Sequence, residues 1–392
     1  MFESMVVDQV LGRLVKHGHV RVKLWNGAVR HYGDLASTVG PTLTVEITDP
    51  QVVRRLMVNA SLALGEGYMN KQLLIDEDQL PLLFELITRN LPAVPLRQPF
   101  RRQRNHKAAQ QTYIESHYSV GNRYYDLFLD PTRLYSCAYF KHEDDSLEQA
   151  QQQKIAHLLN KLRLQPGMHL LDIGCGWGHL AVAAAKRGVR VLGITLSTEQ
   201  LRGARALAER EGVADLVEFR LINYQDLHDI TFDRVISVGM FEHVGRGNGD
   251  QYFSKVAELL KPGGVSVLHT ITQQQDRPTN AWIDKYVFPG GYLPTVAELE
   301  TGLARRGLWS VDRENLWWHY AETLRHWRVA HRAHRQEIVD MFDESFYLLR
   351  DFWLAGSEGN FRFGQLGLTQ VVFTKGKPQD GNWPLTRGYL YE

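Results

Sequence analysis

The chemistry legible in this chain begins at a glycine-spaced turn, Gly174-Cys175-Gly176-Trp177-Gly178. It is entered from the apolar run His169-Leu170-Leu171-Asp172-Ile173 and left through the helix-like stretch Leu180–Ala185. Glycines belong there because the backbone must turn sharply and a ligand must approach it closely. The dinucleotide fingerprint spaces its glycines as glycine, one residue, glycine, two residues, glycine. Here the third glycine, Gly178, comes one residue early, between bulky Trp177 and His179. That fits a pyrophosphate cradle poorly. S-adenosylmethionine (SAM) has no phosphate and needs no bare helix N-terminus aimed at an anion. The carboxylate of Asp172, just before the turn, also suits a cationic ligand that bears an amino acid. The turn therefore points to SAM over a dinucleotide.

Two further stretches could serve that ligand. The strand after the turn ends Gly193-Ile194-Thr195-Leu196-Ser197, with no acid to hold ribose hydroxyls. Thr195 and Gln200 could take those hydrogen bonds, or they could simply cap a helix, with Ser197 at the N-cap and Gln200 at N3 completing a capping box. Asn223-Tyr224-Gln225-Asp226 falls where an adenine edge would lie. An acid/base pair stands beyond. Glu242 follows the fourth strand in Met240-Phe241-Glu242-His243, and His269 closes the fifth in Leu268-His269-Thr270-Ile271. Ligands of doubly wound sheets bind beyond the carboxyl ends of the strands, so these two side chains should converge near the glycine turn. Together they could move a proton or hold an anion; each could also merely satisfy loop backbone.

The elements that must position these groups alternate from residue 168 onward. Strands are expected at His169–Ile173, Val189–Ile194, Val217–Ile222, Phe232–Val238, Val265–Thr270 and Leu368–Thr374, with helices at Ser197–Glu211, Asp250–Leu260 and Gln336–Trp353. Lys261-Pro262-Gly263-Gly264 should end the second of those helices. This is a doubly wound α/β pattern. Ahead of it Ser146–Leu164 has an amphipathic stripe of Leu147, Ala150, Ile155, Leu158, Leu159 and Leu162. Residues 275–325 are rich in aromatics and offer few clear elements.

Residues 1–100 read as a smaller α/β unit, with alternating strands at Val20–Trp25 and Leu43–Ile47, a turn at Asn26-Gly27, and helices at Gln51–Val58 and Pro81–Thr88. Between the units Pro92, Pro95 and Pro99 stand with Arg97, Arg101, Arg102, Arg104 and Lys107. That segment is either a solvated linker or a basic contact for anionic lipid headgroups. The expected division is residues 1–95, a linker at 96–112, and a catalytic domain at 113–392.

Composition narrows the class. The 392 residues carry a net charge of +1, which gives no global case for nucleic acid. Two cysteines, Cys137 and Cys175, are too few for a disulfide framework and fit a reducing cytoplasm. No apolar run reaches spanning length and no signal-peptide pattern is present. Contact with a membrane would then be peripheral. No metal site is expected.

With Tyr135-Ser136-Cys137-Ala138-Tyr139-Phe140, LDIGCGWG at 171–178, GITLSTEQ at 193–200, FDRVISVGMFEHVG at 232–245 and LHTI at 268–271, the chain resembles the cyclopropane fatty acid synthases, including the mycolic acid cyclopropane synthases. The resemblance covers nearly the whole sequence. Leu64-Gly65-Glu66-Gly67-Tyr68-Met69 is similar to the bacterial form with an extra N-terminal domain. The resemblance implies a Rossmann-like class I SAM-dependent methyltransferase domain. It implies that Tyr135, Ser136, Gly174, Gly176, Thr195, Gln200, Tyr224 and Gln225 surround SAM. It implies a bicarbonate ion as base, held by the backbone of Cys137 and Ile271 and the side chains of Glu242, His269 and Tyr320. The implied reaction puts the SAM methyl onto a cis double bond of a phospholipid acyl chain and closes a cyclopropane ring. A homodimer, peripheral to the inner face of the membrane, is implied as well.

Three positions depart from the family pattern. Ser119 replaces an Asp in His117-Tyr118-Ser119-Val120-Gly121-Asn122, Asn223 stands where many members have Asp, and Ser357 falls near the family's C-terminal cysteine. A cysteine nucleophile near 357 is then not required.

The residue types suit such a reaction. An alkene is a weak nucleophile, so the sulfonium must be held in line and close. Methyl transfer leaves a carbocation that must be kept from water. Phe140, Phe241, Trp282, Tyr286 and Trp317 could present aromatic faces to it, or could be ordinary core. A fatty acid methyltransferase giving a methyl branch or methylene would look nearly the same. A non-catalytic lipid-binding protein on this fold and a small-molecule methyltransferase are the readings from other classes.

Overall fold

The structure is a computed structural model that describes residues 2–33, 41–90, 121–379 and 383–391. The basic linker residues Arg97, Arg101, Arg102, Arg104 and Lys107, and His117–Val120, lie outside the described residues. Two compact units emerge from the contacts. One comprises the described residues of 1–100 with Arg277–Pro289 and Ala321–Gln365; the other comprises the described residues of 101–276 with Gly290–Tyr320 and Leu366–Glu392. The first unit is therefore discontinuous, whereas the expected division was contiguous.

The first unit holds a four-stranded sheet of β1 (His19–Lys23), β2 (Val29–Gly33), β3 (Thr42–Ile47) and β4 (Leu73–Ile75), in the order β2-β1-β3-β4. The motif at 64–69 explains why later segments join it. A Cβ on Gly65 would come within 2.3 Å of the Trp282 ring nitrogen, so only glycine admits that indole. Glu66 accepts from Lys285 Nζ and from the Tyr286 hydroxyl, both at 2.8 Å. Tyr68 stacks on Phe352 at 5.1 Å between ring centroids. Trp282 and Tyr286 are thus committed to this unit's packing. Arg328 and Asp351, both buried, pair at 2.7 and 3.1 Å. The helix expected at Gln336–Trp353 is two helices, Arg335–Met341 and Glu344–Phe363. Asp343 restarts the second by accepting the Phe346 N–H at 2.7 Å.

The second unit is built on β5 (His169–Ile173), β6 (Arg190–Thr195), β7 (Val217–Leu221), β8 (Phe232–Val238), β9 (Leu260–Gln273), β10 (Leu308–Asn315) and β11 (Leu366–Lys375). Their order is β10-β11-β9-β8-β5-β6-β7. Strands β5 to β9 pair in parallel, and β11 is antiparallel to both β9 and β10. Alternate residues feed two apolar layers. Leu170, Val191, Ile236 and Val267 meet Leu158, Leu180 and Ala204 on one face. Leu171, Leu192, Val235 and Leu268 meet Tyr252, Val256 and Leu303 on the other. This is a doubly wound, Rossmann-like α/β sheet extended at one edge by the antiparallel β11 and β10.

Two expectations are revised here, and one open alternative, Phe241 as aromatic face or ordinary core, is decided. The Lys261–Gly264 stretch does not separate helix from strand: β9 begins at Leu260, pairs with Phe232, and re-registers at Val265 opposite Arg234. The Pro-Gly-Gly sequence is absorbed as an irregularity within the strand. Residues 275–325 contain helices Ala281–Tyr286 and Val296–Arg305, strand β10 and the start of helix Trp317–Ala333. Their aromatic content masked the periodicity. Phe241 packs on Tyr252 at 5.0 Å and on Phe253 at 5.7 Å, inside the core.

Candidate active site

The carboxyl ends of β5, β6 and β8 meet where strand order reverses on either side of β5, the place where such sheets bind ligands. The glycine turn is pinned there, because the N–H groups of Gly174 and Cys175 both donate to Ile194 O, at 2.9 and 3.0 Å. All three glycines have positive φ, 82°, 55° and 87°, the left-handed region that favours glycine. Their roles differ. A Cβ on Gly176 would meet nothing within 4 Å, and Gly176 lines a cavity; a Cβ on Gly178 would come within 2.8 Å of Phe219 and 2.9 Å of Ala204. The early third glycine therefore serves close helix–strand packing, while the second leaves backbone open to a ligand.

Tyr135, Ser136, Asp172, Gly174, Gly176 and Thr195 line this cavity. Gln200 and Tyr224 line it too, whereas Gln225 stands beside it and donates to the Tyr224 hydroxyl at 3.3 Å. Asp172 is buried, its Oδ2 has no hydrogen-bond partner, and burial pushes its pKa up to about 7. A buried carboxyl short of partners in the wall of a ligand cavity suits a ligand whose cation would favour its ionised form. Ser197 does cap its helix, accepting from Gln200 N at 3.3 Å. The Gln200 side chain does not close the capping box. It accepts from Thr195 Oγ1 at 2.8 Å instead, so the two residues weighed between capping and ribose contact are coupled to each other at the cavity wall. Asn122, at the end of the departing HYDxGN-like stretch, donates to Glu199 at 2.7 Å.

Glu242 and His269 are not among the lining residues, but Met240 and His243, beside Glu242 in the chain, and Gly239, bonded to the His269 carbonyl, line the cavity. Glu242 lies in a single 3-10 turn after β8 and His269 near the end of β9. Glu242 Oε1 accepts the Ile271 N–H at 2.7 Å, the Glu242 carbonyl accepts from Tyr292 N at 3.0 Å, and His269 O accepts from Gly239 N at 2.9 Å. The residue Glu242 is half-buried, but its Oε2 is buried and without a hydrogen-bond partner. Burial raises its pKa against the pull of the Ile271 N–H. His269 is 1% exposed, and its Nε2 is likewise buried and unpartnered. Burial, with the charges of Lys154 and Lys161 behind it, drives the imidazole pKa well below its usual value. Cys137 is fully buried, its Sγ 3.1 Å from Ala138 O and 4.0 Å from Leu316 O. Tyr320 sits on the Trp317–Ala333 helix that starts just after Leu316, its N–H bonded to Leu316 O at 3.1 Å.

The helix Leu147–Lys161 brings side chains that the sequence reading passed over. Lys154 is 1% exposed, lines the cavity, and donates to Ser136 Oγ at 2.7 Å. Burial lowers its pKa to about 8. Gln151 Nε2 donates to Leu134 O and Ser136 O, both at 3.0 Å, and so fixes the segment that carries Tyr135. Gln370 and, through it, Lys161 back His269. The signal was present: residues 150, 151, 154, 158 and 161 share the inward stripe, and three of those five are polar. Among the described residues no group of three or more His, Cys, Asp or Glu could hold a metal ion, and no helix is long and apolar enough to cross a membrane.

The chain is similar to known proteins over most of its length. The mycolic acid cyclopropane synthetase family matches residues 105–371, and a family described only as a domain of unknown function matches residues 6–91. A probable fatty acid methyltransferase of Pseudomonas putida is 36% identical over 387 residues, 96% of this chain and 97% of the relative. The cyclopropane-fatty-acyl-phospholipid synthase of Escherichia coli K12 is 38% identical over 344 residues, 85% of this chain and 88% of the relative. Among solved structures, a cyclopropane synthase from Mycobacterium tuberculosis superposes with a TM-score of 0.64 at 35% identity, covering 68% of this chain and 98% of that one. A mycolic acid cyclopropane synthase complexed with S-adenosylhomocysteine (SAH) and CTAB gives the same TM-score at 34% identity, covering 68% and 98%.

Proposed function

The chain belongs to the mycolic acid cyclopropane synthetase family of SAM-dependent methyltransferases, and from that premise we propose that it transfers the SAM methyl group to a cis double bond of a phospholipid acyl chain, closing a cyclopropane ring with bicarbonate as base. The observation that carries the base site is a pair of buried polar atoms without partners, Glu242 Oε2 and His269 Nε2, on neighbouring strand ends beside the cavity. Buried polar atoms are normally satisfied, so such a pair marks a place for a small polar ligand. An oxyanion that also carries a proton fits both, accepting at one group and sharing a proton with the other. Bound there, bicarbonate would supply a base without requiring a strongly basic side chain in an apolar pocket.

The chain's own residues then divide the work. Gly174 and Gly176 let the methyl donor lie against the backbone, with Asp172 facing its cationic end. Tyr135 and Ser136 cover it, and Thr195, Gln200, Tyr224 and Gln225 hold its nucleoside. Attack by the alkene breaks the sulfur–methyl bond, releases SAH and leaves a carbocation on the neighbouring carbon. Loss of one methyl proton closes the ring, so the lipid gains one CH2. Glu242, whose pKa burial raises, shares a proton with the anion instead of opposing it with a second bare charge. Ile271 donates to Glu242 and serves the anion by sharing that N–H. Tyr320 and the Cys137 backbone complete the set. The linker arginines would hold the enzyme at an anionic lipid surface, as a homodimer.

A fatty acid methyltransferase giving a methylene or methyl branch is the second reading, favoured by the name of the Pseudomonas putida relative. Expression in a bacterial host that lacks such an enzyme tests both. Unsaturated phospholipid chains should become heavier by one CH2, and fragmentation separates a ring from a methylene or a methyl-branched alkene; a saturated methyl branch needs an added hydride and would be heavier by CH4. An unchanged lipid mass spectrum would reject both readings.

A further inference from the structure

Three buried side chains, His269, Gln370 and Lys161, run in a line that ends on the half-buried Glu314 behind the proposed base site. Gln370 on β11 lies directly opposite His269 on β9 in the antiparallel ladder. Its Nε2 is 3.1 Å from His269 Nδ1, and its Oε1 is 2.7 Å from Lys161 Nζ. Lys161 Nζ is in turn 2.5 Å from Glu314 Oε2, an oxygen that also meets His157 Nε2 at 2.7 Å. His269, Gln370 and Lys161 are each exposed by 1% or less, so water does not compete for these bonds.

We propose that Gln370 is a positioning residue that sets the tautomer of His269, with Lys161 and Glu314 fixing the orientation of Gln370. The argument needs only the donor inventory of each group. An ammonium has three donors and no acceptor. Lys161 must therefore face the amide oxygen of Gln370, never its NH2. The opposite end of the amide, which can only donate, then faces His269 Nδ1. Two donors cannot share that contact, so Nδ1 is the bare nitrogen that accepts. A neutral imidazole carries one N–H, which falls to Nε2. This is the buried nitrogen with no protein partner. It is presented to the site as a donor, the polarity an oxyanion requires. The reverse tautomer would set Nδ1–H against NH2 and turn a lone pair toward the anion.

Glu314 makes the device persistent. Burial opposes ionisation of its carboxyl, yet the hydrogen bond from His157 and the charge of Lys161 outweigh it and hold the pKa down at about 2. Burial lowers the pKa of Lys161, but the charge and hydrogen bond of this carboxylate oppose that shift, and the charged lysine keeps the amide from flipping. The consequence for catalysis rests on the bicarbonate reading above; the tautomer does not.

The test is nitrogen NMR on the full chain labelled with 15N-histidine and saturated with SAH, with the His269 signals identified by their loss in His269→Gln. The wild type should show a protonated Nε2 and a bare Nδ1. A proton on Nδ1, or on both nitrogens, would overturn the inference without any variant having to fold. In Gln370→Glu the new carboxylate still meets Lys161 but accepts from Nδ1, so the proton should move to Nδ1. The bicarbonate concentration for half-maximal rate should then rise about tenfold with SAH affinity unchanged. If the proton moves while the rate never depended on bicarbonate, the relay stands and the bicarbonate reading fails.

Discussion

Glu242 accepts the backbone N–H of Ile271 at 2.7 Å, so the turn after β8 is tied to the end of the strand that carries His269. One carboxylate oxygen is spent on holding two strand ends in register and the other is left for the site. Glu242→Gln can keep the first contact through its amide oxygen while losing the charge. Turnover should fall by roughly 10²–10⁴-fold, the range for a proton-handling group, with SAM affinity and thermal stability little changed. Rates near wild type in that variant would remove Glu242 from the mechanism.

The glycine turn separates ligand binding from folding within three residues. Gly176→Ala puts a methyl into open space at the cavity and strains a left-handed position by about 1–2 kcal/mol. SAM binding should be lost while the folded protein persists. Gly178→Ala must displace Phe219 and Ala204, and overpacking alone costs about 1–3 kcal/mol. Thermal denaturation with and without SAH distinguishes them. The first variant should lose the ligand-induced shift, and the second should melt early but still respond to ligand. The reverse pattern would contradict these assignments.

Asp172 gives SAM binding a pH dependence. Its folded-state pKa, raised to about 7 by burial, favours the neutral acid in the free protein. That contribution to stability is fully present below the ordinary carboxyl pKa near 4 and is lost as pH rises through about 7. The cationic ligand needs the ionised form. SAM affinity should therefore weaken as pH falls below about 7, approaching tenfold per pH unit, and level off above it. Calorimetric titration on both sides of that value checks the slope, and Asp172→Asn should bind weakly with no slope.

Much of this was legible in the sequence because the signals are local. Phe232–Val238 was read with the observed boundaries because Phe232, Val235, Ile236 and Val238 mark a short strand that Gly239 ends. The glycine turn, the acid after β8 and the imidazole within β9 were readable for the same reason. What escaped was non-local. Gln370 looks like one more residue of an apolar strand until β11 is laid antiparallel beside β9. Lys154 and Lys161 sit in a helix whose stripe was read by its leucines. The assignment of Arg277–Pro289 to the first unit depends on Gly65 admitting Trp282, a contact across more than two hundred residues. Trp282 and Tyr286, weighed as aromatic walls, belong to that packing.

The most direct test of the whole account uses purified enzyme, SAM, bicarbonate and vesicles of a cis-unsaturated phospholipid. The account predicts phospholipid heavier by one CH2, upfield ring-methylene proton signals in its NMR spectrum, and a rate that falls on removing bicarbonate and returns when it is restored. Phospholipid that gains no CH2, or gains it as a methylene or methyl-branched alkene at a rate indifferent to bicarbonate, would contradict it.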